Sequence, residues 1–307
     1  MDIGKVVALF LLIIIGYLAR KFKGVDPSIK GHISALVLNV TLPLYIFTAM
    51  QFEFSKDVLK EAGQLVVISF SFYFVVTLIS YGYTKLFKVT GKKRDVYQYV
   101  LIFSNVGYMG YPIMYEIAGE KGMFYAAIYN LSFNILTWTL GVYLMTRHQN
   151  SERKISTKEK LKNVINPSLI AVILGFTCFM FSISLPDLLI DTFKSVGQVT
   201  TPLSMMFIGI ILAELHIKDI LGDSSMYLVA LMRLLVLPIL TFLVLNALNV
   251  EGLVLTIPVV LSAMPAAANT AIVAQRYDND YQLASKMIFV TTLSVIVTIP
   301  IILKIIG

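Results

Sequence analysis

The sequence has few charged residues for its length. Charged residues make up 14% of its 307 residues, whereas a typical soluble domain contains roughly 25%. Hydrophobic residues account for 57%, and the mean hydropathy is +0.80. A folded chain of this composition has too few polar groups to cover its surface in water. We therefore predict an integral membrane protein with no separate soluble domain.

Residues that carry enzyme or metal chemistry are also scarce. The chain has a single cysteine, Cys178, which excludes an intrachain disulfide and a thiolate metal site. Its three histidines, His32, His148 and His216, are far apart in the sequence and show no metal-ligand spacing. GxSxG, Walker and zinc motifs are absent. We predict that the protein is not an enzyme and uses no metal or other cofactor.

Long apolar runs recur along the whole chain. Each is about 20 residues long, the length that a helix needs to cross a hydrocarbon layer of about 30 Å. Charges or Gly, Pro and Asn residues bound each run. We predict an all-α fold with ten transmembrane spans, numbered 1 to 10. They cover residues 3–19, 31–50, 63–84, 97–117, 122–146, 166–184, 192–213, 225–247, 252–274 and 284–304.

The net charge of +7 is concentrated in alternate loops, after spans 1, 3 and 5. By the positive-inside rule these loops are cytoplasmic, which places both termini outside and the linker 147–165 inside. The basic clusters follow this topology and lack interleaved aromatic residues, so we predict no nucleic-acid partner. The clusters are Arg20, Lys21, Lys23 and Lys30; Lys85, Lys88, Lys92, Lys93 and Arg94; and Arg147, Arg153, Lys154, Lys158, Lys160 and Lys162.

The linker divides the spans into two groups of five, in residues 1–146 and 166–307. Because five is an odd number, the second group must enter the membrane in the opposite orientation, which predicts an inverted repeat. A pair of similar segments supports this prediction. NVTLPLYIF, which contains Pro43, resembles QVTTPLSMMF, which contains Pro202, 159 residues later.

The segment SNVGYMGYP at 104–112 is unusual inside a membrane span, and the same offset of 159 residues carries it onto AMPAAANTA in span 9. Proline and glycine weaken a helix by about 3 and about 1 kcal/mol, so we predict breaks near 107–112 and 264–269. Freed N–H groups at the half-helix ends, beside neutral amides, suit a carboxylate. This predicts an anion site without a buried cation. The predicted binding residues are Asn105, Gly107, Gly110, Pro112, Pro265 and Asn269.

Further residues are candidates for an accessory role. Arg233 lies about eight residues into span 8, where it could attract anions or neutralise a carboxylate. We place Glu116 at the outer mouth, in contact with solvent. Span 9 contains no acidic residue before Asp278, which favours an anionic ligand, although backbone, Asn and Thr oxygens leave sodium coupling open. The other accessory candidates are Asn39, Pro43 and Pro202.

Four segments together resemble the auxin efflux carrier family, which includes plant auxin exporters and bacterial permeases for malate and malonate. They are HISALVLNVTLPLYIF, FSNVGYMGYPI, MRLLVLPIL and LSAMPAAANTAIVAQRYDNDYQLAS. The resemblance implies ten helices in two inverted repeats, similar to sodium/proton antiporters and bile-acid symporters, with unwound helices 4 and 9 that cross. It also implies a scaffold of spans 1, 2, 6 and 7, usually dimeric. Spans 3 to 5 and 8 to 10 would move against this scaffold as an elevator.

We therefore expect a secondary transporter for a small organic anion, a mono- or dicarboxylate, in a bacterial inner membrane. The expected partners are this substrate, the lipid bilayer and a second copy of the chain in a homodimer. Two other hypotheses remain open at this point. One is a sodium-coupled symporter of larger organic anions, similar to bile-acid carriers, and the other is a membrane sensor of the same fold that moves no substrate.

Overall fold

In the computed structural model, regular secondary structure within the described residues is helical throughout. The described residues are 3–26, 28–147, 164–214 and 223–306. The predicted linker 147–165 lies almost wholly outside them, as do His148 and His216.

The first five predicted spans all fall on helices, several of which are interrupted by a π turn. Gly119, near the middle of α6, has a positive φ of 61° and divides that helix into two. The elements in chain order are α1 Ile3–Lys21, α2 Ile29–Leu36, a π turn Val37–Thr41, α3 Leu42–Thr48, α4 Lys56–Leu86, α5 Gly91–Ile102, a π turn Val106–Gly110, α6 Tyr111–Tyr129, α7 Leu131–Leu136, a π turn Thr137–Gly141 and α8 Val142–Thr146.

The last five predicted spans are helical as well. The elements are α9 Pro167–Phe181, α10 Asp187–Gln198, α11 Thr200–Leu212, α12 Ser224–Leu231, a π turn Met232–Val236, α13 Leu237–Ala247, α14 Gly252–Ser262, α15 Thr270–Arg276 and α16 Tyr281–Ile306. Span 9 is thus divided into two helices, α14 and α15.

Several helical segments are long and apolar enough to cross a membrane. Five such segments occur among the described residues: Ile29–Thr48, Lys56–Leu86, Asp187–Leu212, Ser224–Ala247 and Tyr281–Ile306. Pro167–Phe181 and Gly252–Ser262 are shorter apolar helices. The all-α, multi-pass membrane character is confirmed, whereas the number of ten spans and their inverted relation stay predictions.

Prolines explain most of the π turns. Proline lacks an N–H and its ring conflicts with the carbonyl four residues earlier, so a regular α-helix cannot continue through it unchanged. Three of the four π turns among the described residues end one or two residues before Pro43, Pro112 or Pro238. The wider π turn shifts the backbone at the position where the ring would otherwise collide.

The chain folds into two compact units. Unit 1 comprises Met1–Leu65, Gly107–Ile128 and Ile165–His216, and unit 2 comprises Val66–Val106, Tyr129–Val164 and Ile217–Gly307. Spans 1, 2, 6 and 7 of the predicted scaffold therefore fall in unit 1, together with the chain from Gly107 to Ile128. The division into a scaffold and a moving part stays a prediction.

Unit 1 contains a very close contact between two helices, α1 and α11. A Cβ atom on Gly16 would lie 2.2 Å from the carbonyl oxygen of Met206, and one on Gly209 would lie 2.0 Å from the carbonyl oxygen of Ile13. No side chain fits in these positions. Small residues that allow backbones to approach are typical of helix packing inside membranes.

Candidate functional site

Two helical segments of unit 2 are unwound where the sequence analysis placed its site. Between α14 and α15 the chain is outside any helix from Ala263 to Asn269, which confirms the predicted break in span 9. In span 4 the non-helical residues are Phe103 to Asn105. The prediction of a break at 107–112 is wrong by several residues, because the π turn accommodates Pro112 within the helix.

The two unwound segments pair with each other in antiparallel fashion. The Asn105 N–H donates to the carbonyl oxygen of Pro265 at 2.8 Å, and the Ala267 N–H donates to that of Phe103 at 3.3 Å. Ser104 and Ala266 form an isolated antiparallel bridge. The backbone groups freed by unwinding thus satisfy one another, as they must in a region shielded from water.

A third element of unit 2 supports this pairing. The Ala266 N–H donates to the hydroxyl oxygen of Thr291 in α16 at 3.1 Å. The same hydroxyl donates to the carbonyl oxygen of Met287 at 2.6 Å, within its own helix. Thr291 is fully buried. Its hydroxyl therefore connects the unwound segment of span 9 to a continuous helix.

Arg233 lies next to the paired segments and is completely buried, with 0% of its surface exposed. Its Nη1 donates to the carbonyl oxygen of Leu101 at 2.9 Å, and its Nε donates to that of Met264 at 3.2 Å. These carbonyls stand at the ends of the two helical segments that precede the breaks. A single side chain therefore connects both breaks, and the prediction of a site without a buried cation is wrong.

The guanidinium of Arg233 can donate further hydrogen bonds. Its Nη2 is buried and has no hydrogen-bond partner among the described residues. Tyr73 and Tyr129 lie close enough for electrostatic interaction with it, and the buried Tyr129 hydroxyl also lacks a partner within the described chain. Buried polar groups are normally satisfied. Unsatisfied groups at this position are consistent with a site that a polar ligand or water completes.

Arg233 supplies the formal charge beside the paired segments among the described residues. The carbonyl ends of α5 and α14 carry partial negative charge, and Arg233 offsets this charge. Among the described residues, the buried acidic side chain is Asp95. It is held by Arg147, whose Nη2 and Nε lie 2.6 and 2.7 Å from its Oδ1. No described carboxylate therefore pairs with Arg233, which leaves its charge available to an anion.

One of the predicted asparagines takes part in the pairing, and the other follows it in the chain. Asn105 is 4% exposed and belongs to the pairing itself. Asn269 precedes α15 and is half-buried, and its side chain makes no capping hydrogen bond to that helix. Two neutral amides thus accompany Pro265 in unit 2. The structure brings the backbones of Asn105 and Pro265 together directly.

The other predicted residues of span 4 belong to unit 1. Gly107 and Gly110 form part of the π turn, and Pro112 is buried at the start of α6. Between them, the hydroxyl of Tyr108 is hydrogen-bonded to that of Ser34 at 2.6 Å. The chain therefore passes from unit 2 to unit 1 directly after the unwound residues.

The accessory candidates of unit 1 occupy different environments. Pro43 is buried, Pro202 and Glu116 are half-buried, and Asn39 is exposed in the π turn of span 2. One turn after Glu116 in α6, Glu120 accepts a hydrogen bond from Lys194 of α10.

Among the contributors to this site that the sequence analysis missed are Phe103, Ser104 and Thr291. Phe103 and Ser104 lie before Asn105, whereas the glycines and the proline, on which the predicted break was based, lie after it. Thr291 lies in an apolar span with no motif around it. The pairing that makes all three important joins parts of the chain far apart in sequence, so only the fold reveals it.

Comparison with known proteins agrees with this architecture. Residues 2–303 match the family described as Membrane transport protein. The chain is 26% identical over 296 residues to an "Uncharacterized transporter" of Methanocaldococcus jannaschii, covering 95% of this chain and 94% of the relative.

Two bacterial relatives extend the similarity along nearly the full chain. The "Uncharacterized transporter YfdV" of Escherichia coli K12 is 21% identical over 307 residues, covering 97% of this chain and 95% of the relative. A "Putative malonate transporter" of Rhizobium meliloti is 22% identical over 300 residues, covering 96% and 93%. The resemblance noted in the sequence is confirmed. The chain belongs to the membrane transport protein family of the auxin efflux carrier type.

Proposed function

We propose that the protein is a secondary transporter that carries a small organic anion, a mono- or dicarboxylate, across the membrane. The observation that carries this proposal is the buried Arg233, whose Nη2 has no partner in the described chain beside the paired breaks. A carboxylate accepts strong hydrogen bonds from a guanidinium. Unwound helices in corresponding halves of a chain are also typical of transporter binding sites.

Two further facts support an anionic substrate. No described acidic side chain offsets the charge of Arg233, so a bound cation would meet repulsion at this position. One relative carries malonate in its printed name, and malonate is a small dicarboxylate. The amides of Asn105 and Asn269 would supply additional neutral donors. The proposed mechanism is alternating access of the elevator type, in which spans 3 to 5 and 8 to 10 move against spans 1, 2, 6 and 7.

Counterflow in proteoliposomes tests this proposal. Vesicles that contain the purified protein are loaded with unlabelled malonate or malate, and the uptake of external labelled malonate is followed with time. We expect saturable uptake that an excess of unlabelled dicarboxylate suppresses. Asn105→Ala should reduce the initial rate at least tenfold, because it removes an amide beside the paired segments.

The matched control is Asn246→Ala, since Asn246 is an exposed asparagine on α13 of the same unit. It should transport at the wild-type rate. Thermal unfolding in detergent shows whether Asn105→Ala folds, and Asn269→Ala provides a second test at a half-buried position. If both site variants are folded and transport normally, the proposed site is wrong.

The same assay separates the competing hypotheses. Uptake that requires external sodium would favour a sodium-coupled symporter of the bile-acid carrier type. Saturable binding of a carboxylate to the folded protein without counterflow would favour a sensor that moves no substrate. Counterflow without sodium supports the proposal as stated.

A further inference from the structure

A basic groove lies at the junction of α4 and α5 in unit 2, away from the paired breaks. It is a cavity of about 550 Å³ that is partly open at the surface. This volume falls in the range of roughly 300 to 1,000 Å³ that is usual for small-molecule sites. Its basic side chains are Lys85, Lys88 and Arg94, and Thr84, Thr90 and Gln98 contribute polar groups.

The charge of this groove is only partly neutralised within the described chain, by Asp95, whose Oδ1 lies 3.9 Å from the Nε of Arg94. Its lining contains no acidic residue among the described positions. Neither Lys85 nor Lys88 has an ion-pair partner in the part of the chain that the structure describes. The other ion pairs of this region join the neighbouring Lys93 to Asp223 at 2.7 Å and Lys92 to Asp278 at 3.5 Å.

The polar groups at the back of the groove are fixed in place. The side-chain amide of Gln98 donates to the hydroxyl of Thr84 at 2.8 Å and accepts from Arg147 Nη2 at 2.6 Å. Thr90, at the rim, makes no capping hydrogen bond to α5. The groove therefore presents a rigid polar wall, with flexible cationic side chains and one available hydroxyl in front of it.

An exposed apolar face leads along α4 into this groove. Phe74, Leu78 and Tyr81 are 66%, 57% and 39% exposed, and Lys85 continues the same helical spacing. Residues three or four apart lie on one face of a helix. Because α4 is long and apolar enough to span the membrane, this face suits acyl chains, and the groove stands where their headgroup would lie.

We propose that the basic groove binds the phosphate group of an anionic phospholipid whose acyl chains lie along this exposed face of α4. Phosphate oxygens accept hydrogen bonds from lysine, arginine and hydroxyl groups. Basic pockets between membrane helices bind anionic lipid headgroups by the same chemistry. The proposal does not depend on the transported substrate, because the groove shares no residue with the paired breaks.

Native mass spectrometry of the full-length protein in detergent tests the proposal with phosphatidylglycerol and phosphatidylcholine as probes. We expect the wild type to retain one phosphatidylglycerol molecule in preference to phosphatidylcholine. In Lys85→Ala/Lys88→Ala the apparent affinity for phosphatidylglycerol should fall by about 25-fold, from roughly fivefold for each lysine near an anionic lipid. Lys85→Arg/Lys88→Arg should restore the preference.

The matched control is Lys92→Ala, which removes a nearby lysine at the start of α5 that is paired with Asp278 and does not line the groove. It should bind phosphatidylglycerol like the wild type. Helical content and a single peak in size exclusion establish folding. If the double variant is misfolded, Lys88→Gln alone, in the exposed loop, gives the comparison.

Three results would overturn the proposal. One is equal binding of phosphatidylglycerol by the wild type and the folded lysine variants, and another is equal retention of the two lipids by the wild type. The third concerns the source of the phosphate. If millimolar glycerol phosphate or inorganic phosphate displaces the lipid completely, the groove is a site for a soluble phosphate compound.

Discussion

Arg233 combines a full positive charge with hydrogen bonds that go only to main-chain carbonyls. Removing an unpaired charge from water costs several kcal/mol, so a fully buried arginine without a carboxylate partner needs other compensation. The carbonyls of Leu101 and Met264 provide part of it. We infer that this arrangement also sets the distance between the two broken helices.

The first residue-scale prediction is that Arg233→Lys will reduce malonate counterflow at least tenfold while the protein remains folded. An ammonium group is compact and cannot reproduce the planar fork that contacts both carbonyls. Arg233→Met should also lower thermal stability, because each buried carbonyl left unpaired costs about 1 to 3 kcal/mol. The measurements are counterflow and thermal unfolding.

Arg276→Lys is the control for Arg233→Lys, since Arg276 is exposed on α15 of the same unit. It should leave both measurements unchanged. Wild-type counterflow in folded Arg233→Lys would show that the double contact to the carbonyls is dispensable.

The second residue-scale prediction concerns the contact between α1 and α11. Gly209→Ala places a methyl group where the Ile13 carbonyl oxygen and the Tyr17 nitrogen stand, at 2.0 and 2.6 Å. Since both are backbone atoms, the helices must separate. We expect a loss of about 1 to 3 kcal/mol in stability, the usual cost of overpacking, seen as a lower midpoint of thermal unfolding in detergent.

Gly63→Ala is a matched control for this substitution. Gly63 is also helical, and a Cβ there would meet nothing within 4 Å. Alanine is favoured over glycine in a helix by about 1 kcal/mol, so this variant should be as stable as the wild type or more so. Similar destabilisation by both substitutions would contradict the close-contact explanation.

At the scale of single elements, an acidic side chain, Asp223, caps the start of α12 and pairs with a lysine. Asp223 caps α12 by accepting the N–H of Ser225 at 3.0 Å, and it also accepts a hydrogen bond from Lys93 at 2.7 Å. The hydrogen bond from Lys93, with those from Ser225, lowers the pKa of Asp223 below its usual value near 3.8. The cap is therefore stronger when the carboxyl is ionised.

We predict that Asp223→Ala lowers stability by about 1 kcal/mol at neutral pH, the usual cost of losing a helix cap. Because the folded-state pKa is depressed, this contribution is fully present above pH 4 to 5. It is lost as the pH falls through the folded-state value. The stabilities of the wild type and the variant should converge once the pH lies below the folded-state pKa of Asp223. A difference that persists there would mean that the carboxylate charge is not involved.

The π turns show how local sequence and packing together shape an element. Pro43, Pro112 and Pro238 each predict an irregularity in their helix, because each lacks a backbone N–H donor. Whether a proline breaks the helix or only widens one turn depends on partners for the freed backbone groups. In span 4 the π turn accommodates Pro112, and the break lies earlier, at Phe103 to Asn105, where the backbone groups pair with the unwound segment of span 9.

At the scale of the whole molecule, the orientation of the chain follows from the positive-inside rule and stays a prediction. With Cys178→Ser as background, single cysteines at Ser151, in the linker 147–165, and at Glu251, between α13 and α14, are compared in intact cells. A membrane-impermeant maleimide should label Glu251→Cys and leave Ser151→Cys unlabelled until the cells are opened. Labelling of Ser151→Cys in intact cells would reverse the topology.

The sequence by itself determined the membrane class, the family, the approximate position of the helices and the break in span 9. These features follow from composition, apolar run length and proline or glycine content, which act locally. Only the tertiary structure decided that Phe103 to Asn105 pair with Pro265 to Ala267, and that Arg233 connects both breaks. A backbone hydrogen bond or a buried charge is satisfied by whatever the fold brings near it, and partners about 30 to 160 residues away leave no local signal.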